Sequence, residues 1–234
     1  MIPWLGASHR FPPIARALAE PNGLLAAGGD LSPERLRAAY GQGIFPWFSD
    51  DQPILWWSPD PRMVLYPEEL RVPRSLARKL KQTIFEIRVD TAFRQVMQAC
   101  AEPRRDQAGT WITGQMVDAY CTLHELGLAH SVESWRDGQL AGGLYGVALG
   151  RAFFGESMFA RESDASKTAF VHLVHHLRGQ GYGVIDCQMR TPLLSSFGAR
   201  EIPRSQFVAA LAELVNYPSP SWPRTLSLSA TQHR

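Results

Sequence analysis

Cysteine is scarce in this 234-residue chain: Cys100, Cys121 and Cys187 are odd in number and widely spaced, with no C-x-x-C pair. That argues against a disulfide framework or a cysteine zinc site, and leaves reduced thiols in a cytoplasmic protein as the plain reading. Long apolar runs are missing, so no segment reads as a membrane span. The opening, MIPWLGASHRFPPI, lacks a basic region followed by an apolar run and is not a secretory signal. There is no P-loop, no G-x-S-x-G and no internal repeat. HELGLAH is not H-E-x-x-H, because His130 lies six residues from His124 and Gly127 breaks the helix between them; GGLYG is not G-x-G-x-x-G. The HLVHH run (His172, His175, His176) has no evident acid or cysteine partner and reads as a surface helix. No metal and no cofactor are expected.

What is present suffices for a large core. Apolar residues make up 45% of the chain and aromatics 10%, enough for one large domain or one plus a small annex. The net charge of +2 is unevenly spread. Residues 71–105 hold nine Lys/Arg against three Asp/Glu, a local +6, which leaves −4 elsewhere and makes a localised anionic partner possible.

Periodicity divides the chain at about residue 62. Residues 1–62 are rich in Pro and Gly and hold one clear helix, with Ser32 as N-cap, Pro33 in the first turn, and Leu36 and Tyr40 on one face. The stretch GIFPWFSDDQPILWWSPDPR (43–62) has four prolines that forbid a regular helix, yet three tryptophans that must cover a core or build a binding surface. From 63 to 234 the pattern runs helix, strand, helix, then a helix capped by Thr113 with a stripe of Met116, Tyr120 and Leu123. A β-meander follows from His130 to Phe159, turning at Asp137-Gly138 and near Gly150. A capped helix to Gly179, the strand YGVIDCQM, a last helix and an irregular tail after Tyr217 complete the chain. The fold class is mixed α/β (α+β) around one sheet, with a first segment over 1–62 and a second from 63 to 234.

Three groups of residues carry candidate chemistry. Arg74, Arg78 and Lys81 recur on one helix face with no acid between Arg71 and Lys81; a solvated face is the commoner origin of such a stripe, a phosphate backbone the alternative. Trp47, Trp57 and Trp111 sit beside loops or helix starts, where indoles cap a core or stack on an unpaired base. In VIDCQM a period-2 strand puts Asp186 and Gln188 on one face, and a buried Asp must be paired or functional. Glu156 stands in FFGESMF among Phe153, Phe154, Met158 and Phe159, where a carboxylate has little natural company.

With these residues assembled, the chain resembles the bacterial leucyl/phenylalanyl-tRNA–protein transferases over nearly its whole length. The likeness rests on EPNGLLAAGGDLSPERL, GIFPWFSDDQPILWWSPDPR, GTWIT, LHELGLAHSVESW, GGLYGVALG, FFGESMF, ASKTA and IDCQ. It implies transfer of Leu or Phe, and less well Met, from Leu-tRNA or Phe-tRNA to the α-amino group of proteins beginning with Arg or Lys, marking them for the N-degron pathway. It also implies a small N-terminal α/β domain (1–62) packed on a larger catalytic domain (63–234) similar to the GNAT acyltransferases, with a mixed, largely antiparallel sheet; a cytoplasmic monomer without cofactor is expected. On the matching motifs, Trp47 and Trp111 would sandwich the terminal adenine of the tRNA, and Arg74, Arg78 and Lys81 would hold its acceptor stem. Glu156, Asp186 and Gln188 would form the reaction centre, with Phe153, Met158 and Ile185 lining the side-chain pocket beside Tyr120.

Aminolysis of an activated ester needs no protein nucleophile, only positioning, oxyanion stabilisation and a leaving hydroxyl. Asp186 and Gln188 would then orient the amine, with Gln188 or a tRNA ribose hydroxyl passing the proton. Glu156 would select a guanidinium or ammonium, or bind the α-ammonium. Two rivals differ in class. An acyl-CoA enzyme would need a Gly-rich phosphate cradle that the turn before ASKTA lacks, and a non-catalytic RNA-binding module would leave FFGESMF and IDCQ without a purpose.

Overall fold

The computed structural model describes residues 2–103 and 112–228. Two sheets carry the described chain. Strands β1 (Trp4–Leu5), β2 (Leu24–Gly28), β3 (Phe45–Pro46) and β4 (Leu55–Trp57) form the smaller, in the order β1-β2-β4-β3. The larger takes β5 (Arg62–Leu65), β6 (Glu86–Val89), β7 (Ala129–Arg136), β8 (Gln139–Leu149), β9 (Ala152–Ala160), β10 (Val184–Gln188) and β11 (Arg200–Ile202) in the order β11-β5-β10-β9-β8-β7-β6. Its neighbours are antiparallel except β9 and β10, which run parallel. Helices are α1 (Pro33–Tyr40), α2 (Arg74–Leu80), α3 (Phe93–Ala101), α4 (Gly114–Glu125), α5 (Ala165–Gly179), α6 (Pro192–Ser196) and α7 (Arg204–Leu214).

Local chemistry sets many of these boundaries. The Ser32 hydroxyl accepts from Arg35 N–H and Pro33 fills the first turn of α1; Thr113 caps α4 by accepting from Met116 N–H. Asp137 and Gly138 both have positive φ (49° and 75°), the backbone of a tight turn that matches the twist of β7 and β8.

Alternation along the strands builds a core on each face of the large sheet. Phe154 and Val184 join Tyr40, Tyr120 and Phe207 on one face, bringing the small sheet, α1, α3, α4 and α7 together. Phe153 and Ile185 join Leu76, Phe170 and Phe197 on the other, beneath α2, α5 and α6. Gly142 lets α5 approach: a Cβ there would lie 2.7 Å from the Ala165 Cβ.

The Pro/Gly-rich N-terminal stretch holds the small sheet and α1, and its fully buried Trp56 indole donates to the Gly28 carbonyl at 2.9 Å. The tail after Tyr217 is irregular as expected, apart from one isolated antiparallel bridge between Thr225 and Arg88. Val89 N–H donates to Arg224 O and Leu226 N–H to Ile87 O, so the tail pairs along the outer edge of β6. Its Trp222 stacks on His130 with ring centroids 4.1 Å apart. The HLVHH helix is not a surface helix: α5 covers the sheet and His175 is buried. Asp164 precedes α5 with φ 65° and gives no side-chain cap, its carboxylate instead meeting Lys79 and Lys167. Among the described residues no His/Cys/Asp/Glu group is arranged to hold a metal, and no helix is long and apolar enough to cross a membrane.

Candidate active site

The parallel strands at the centre of the sheet create the site. The β9–β10 ladder runs from Val184–Ala152 through Ile185–Phe153 to Asp186–Phe154, where pairing ends. Beyond it lies a cavity of about 520 Å³ lined on one side by Phe153, Met158, Phe170, Leu173 and Ile185 and on the other by Glu156 and Gln188. Trp47, 38% exposed, stands at its edge; its carbonyl accepts from the Trp57 indole at 2.7 Å, and the two rings meet at 5.6 Å.

Glu156 is the polar centre of this space. Its Oε1 accepts from Tyr40 Oη (2.8 Å) and Gln188 Nε2 (3.0 Å), and its Oε2 lies 3.3 Å from Tyr120 Oη. The Tyr40 and Tyr120 hydroxyls also bond each other. Three contacts among Tyr40, Tyr120 and Glu156 need three hydrogens, while two tyrosines supply two. The third comes from Glu156 itself when its carboxyl is protonated. Burial agrees with this count: it pushes the Glu156 carboxyl up to about 8, outweighing the Tyr40 hydrogen bond, with the Asp186 charge adding to the rise. Burial likewise pushes both tyrosine hydroxyls well above their ordinary range.

Asp186 is wholly buried and already partnered. Arg62 Nε donates to Oδ1 at 2.7 Å and Arg62 Nη2 to Oδ2 at 2.6 Å. The guanidinium is also buried, lies over the Phe45 and Phe207 rings at 4.9 and 4.8 Å, and gives Nη1 to the Gly43 carbonyl at 3.0 Å. Regular alternation breaks just after Asp186. The β5–β10 register shifts between Asp186 and Gln188, and Gln188 has φ 60°, so a bulge rather than the pleat aims the Gln188 amide at Glu156.

The basic stripe of α2 lies outside this cavity. Arg74, Arg78 and Lys81 are exposed, while Leu76 and Leu80 face the core and Lys79 turns to Asp164. The segment entering α2 is tied to the pocket wall, since Arg71 N–H donates to Phe197 O at the end of α6, whose Leu193 and Leu194 line the cavity.

Comparison with known proteins fits this arrangement. The family model for leucyl/phenylalanyl-tRNA protein transferase matches residues 64–212, and that for the N-terminal domain of the same transferase matches residues 29–60. The chain belongs to the leucyl/phenylalanyl-tRNA protein transferase family. Relatives bearing that name include one from Chromobacterium violaceum, 63% identical over 94% of this chain and 94% of its own. Another, from Nitrosospira multiformis, is 65% identical over 93% and 94%. Among solved structures, L-PGS from Bacillus licheniformis matches with a TM-score of 0.40 and 10% identity, covering 69% of this chain and 52% of that one.

Seven residues singled out in this transferase sequence converge on the cavity: Trp47, Phe153, Glu156, Met158, Ile185, Asp186 and Gln188. Tyr120 reaches Glu156 from the opposite core. Trp111 lies outside the described residues. Arg62 and the site role of Tyr40 escaped sequence reading. Arg62 carried the signal that exposed Glu156, a charge opening an apolar run (RMVL), whereas Tyr40 was indistinguishable from a core residue of α1.

Proposed function

We propose that this transferase moves Leu or Phe, and less readily Met, from aminoacyl-tRNA to the α-amino group of proteins that begin with Arg or Lys, marking them for N-degron degradation. The observation that carries this reading is the juxtaposition, in one cavity, of an apolar wall with the Glu156 carboxyl, whose neighbour Asp186 is already engaged by Arg62. The aminoacyl side chain enters against Phe153, Met158 and Ile185, with Leu144 and Leu173 completing the pocket. One methylene more or less there changes binding by about 1–3 kcal/mol, enough to favour some apolar side chains over others.

Glu156 receives the basic side chain of the acceptor. A cation beside it favours the ionised form, and the carboxyl gives up its proton as the guanidinium or ammonium docks. Gln188, with Nε2 held by Glu156, presents its amide oxygen to an N–H of the incoming amine. The amine nitrogen attacks the ester carbonyl, the new amide bond forms, and the ester C–O bond breaks. The amine proton leaves as the ribose oxygen gains one, so no external reagent is consumed. Positioning of this kind supplies up to about 7–11 kcal/mol in favourable cases. Arg74, Arg78 and Lys81 hold the tRNA acceptor stem, and Trp47 stacks on its terminal base, the role Trp111 shares.

Two features weigh against an acyl-CoA enzyme. The start of α5 lacks a Gly-rich cradle, and the Asp164 carboxylate stands where phosphates would have to approach. The protein acts as a monomer in the cytoplasm, where aminoacyl-tRNA is at hand.

The test is a transfer assay with purified protein, labelled Leu-tRNA and two peptides that differ only in an N-terminal Arg or Ala. Label on the Arg peptide alone is expected. Label on neither, with tRNA still bound, would leave an RNA-binding module and end the enzyme reading.

A further inference from the structure

Asp186 looks at first like a second acid beside Glu156, but its surroundings suit another task. Three of its acceptor positions are filled: Oδ1 by Arg62 Nε and by the Gln188 backbone N–H at 2.9 Å, Oδ2 by Arg62 Nη2. A carboxylate so engaged, wholly buried and facing a bidentate guanidinium, has little capacity left for the proton of an incoming amine. What it does hold is backbone. The bond to Gln188 N–H closes across the position where the β5–β10 register shifts, and it fixes Gln188 at φ 60°, a conformation that a residue with a side chain seldom adopts. From that backbone the Gln188 amide reaches Glu156 at 3.0 Å.

We propose that Arg62 is a positioning residue of the transfer reaction: it locks Asp186, Asp186 locks the left-handed backbone of Gln188, and Gln188 is thereby aimed at Glu156. Asp186 is then also a positioning residue and accepts no proton from substrate. The guanidinium is itself immobilised from three directions, by Asp186, the Gly43 carbonyl, and the Phe45 and Phe207 rings. A buried lysine could keep the charge but not the fork, so the geometry calls for arginine. Gly43 and Phe45 precede β5 in the chain, so the same guanidinium ties the N-terminal residues to the reaction centre.

The inference rests on Glu156 and Gln188 forming the polar centre, which Glu156→Gln tests separately in the same assay. The experiment is a double-mutant cycle of Arg62→Lys and Asp186→Asn, read by single-turnover transfer of labelled Leu from Leu-tRNA to the Arg peptide. Each single variant should lower the transfer rate on the order of a hundredfold, the loss that accompanies a displacement of about 1 Å. Half-saturating concentrations of both substrates should stay within about twofold, because the apolar wall, Glu156 and the basic stripe keep their side chains. The double variant should be no slower than the slower single variant, since both act through one bond to Gln188. The pH–rate profile of Asp186→Asn should superimpose on that of the unmodified protein after scaling. If Arg62→Lys does not fold, Phe207→Leu loosens the same guanidinium from its aromatic side and should give the same split, smaller in amplitude. Additive losses in the cycle, a limb missing from the Asp186→Asn profile, or an unchanged rate in folded Arg62→Lys or Phe207→Leu would each overturn the proposal.

Discussion

The Tyr40 hydroxyl donates to Glu156 Oε1 at 2.8 Å, joining the last residue of α1 to the middle of β9 across 116 positions of sequence. That bond places a carboxyl group under the control of both halves of the chain, and its protonation leaves a signature in stability. Glu156 is raised from its ordinary value of 4.5 to about 8, so between those values the folded protein holds a proton that the unfolded chain does not. Stability rises with pH only where the unfolded state binds more protons. Here the sign is opposite: the contribution is complete below 4.5 and is lost as pH rises through 8. The difference in melting temperature between the unmodified protein and Glu156→Gln should therefore drift against the former from pH 5 to 9. A difference that stays flat over that range would show an ordinary carboxylate.

Removing the Tyr40 hydroxyl takes away a donor that favours ionised Glu156. Tyr40→Phe should extend the same pH window upward by up to about one unit, roughly the value of one hydrogen bond to a charged group. Thermal melts of Tyr40→Phe and Tyr40→Phe/Glu156→Gln across pH 7–10 would show it. An unchanged upper end would mean that Tyr120 supplies the whole stabilisation.

The buried ion pair should be costly to halve. Arg62 and Asp186 side chains are 0% and 1% exposed, so Arg62→Ala leaves an uncompensated charge in the core. The expected loss is about 3–5 kcal/mol. At roughly 2–4 °C per kcal/mol for a chain of this size, the melting temperature should fall about 6–20 °C. A fall of a degree or two would mean that water reaches Asp186 in the variant.

Much of this architecture could be read from residues alone. Ser32, Thr113 and Asp137-Gly138 announce their caps and turn because the signal is local. Glu156 was conspicuous as a charge in an apolar run. What the chain hid was pairing at a distance: Arg62 and Asp186 are 124 residues apart, and neither reports the other. The short strands of the N-terminal sheet carry two to five residues each, too few for periodicity to register. The position of Gln188 depends on a bulge, which strict alternation cannot anticipate.

Salt dependence should report the role of α2. Arg74, Arg78 and Lys81 are exposed and enter no ion pair among the described residues. If each meets a phosphate, its replacement by Ala should reduce the slope of log affinity for Leu-tRNA against log salt by about 0.7–0.9. The triple variant should lose affinity while its melting temperature stays close to that of the unmodified protein. An unaltered slope would put the tRNA elsewhere.

The most direct test of Glu156 as the selector of basic acceptors is the ratio of Leu transfer to Arg-initiated over Ala-initiated peptide, measured for the unmodified protein and for Glu156→Gln at saturating Leu-tRNA. A large ratio that falls at least about tenfold in Glu156→Gln, one lost charge-assisted contact, with Leu-tRNA binding intact, is the expected result. An equal ratio in the two proteins would contradict the account and assign acceptor choice to another part of the molecule.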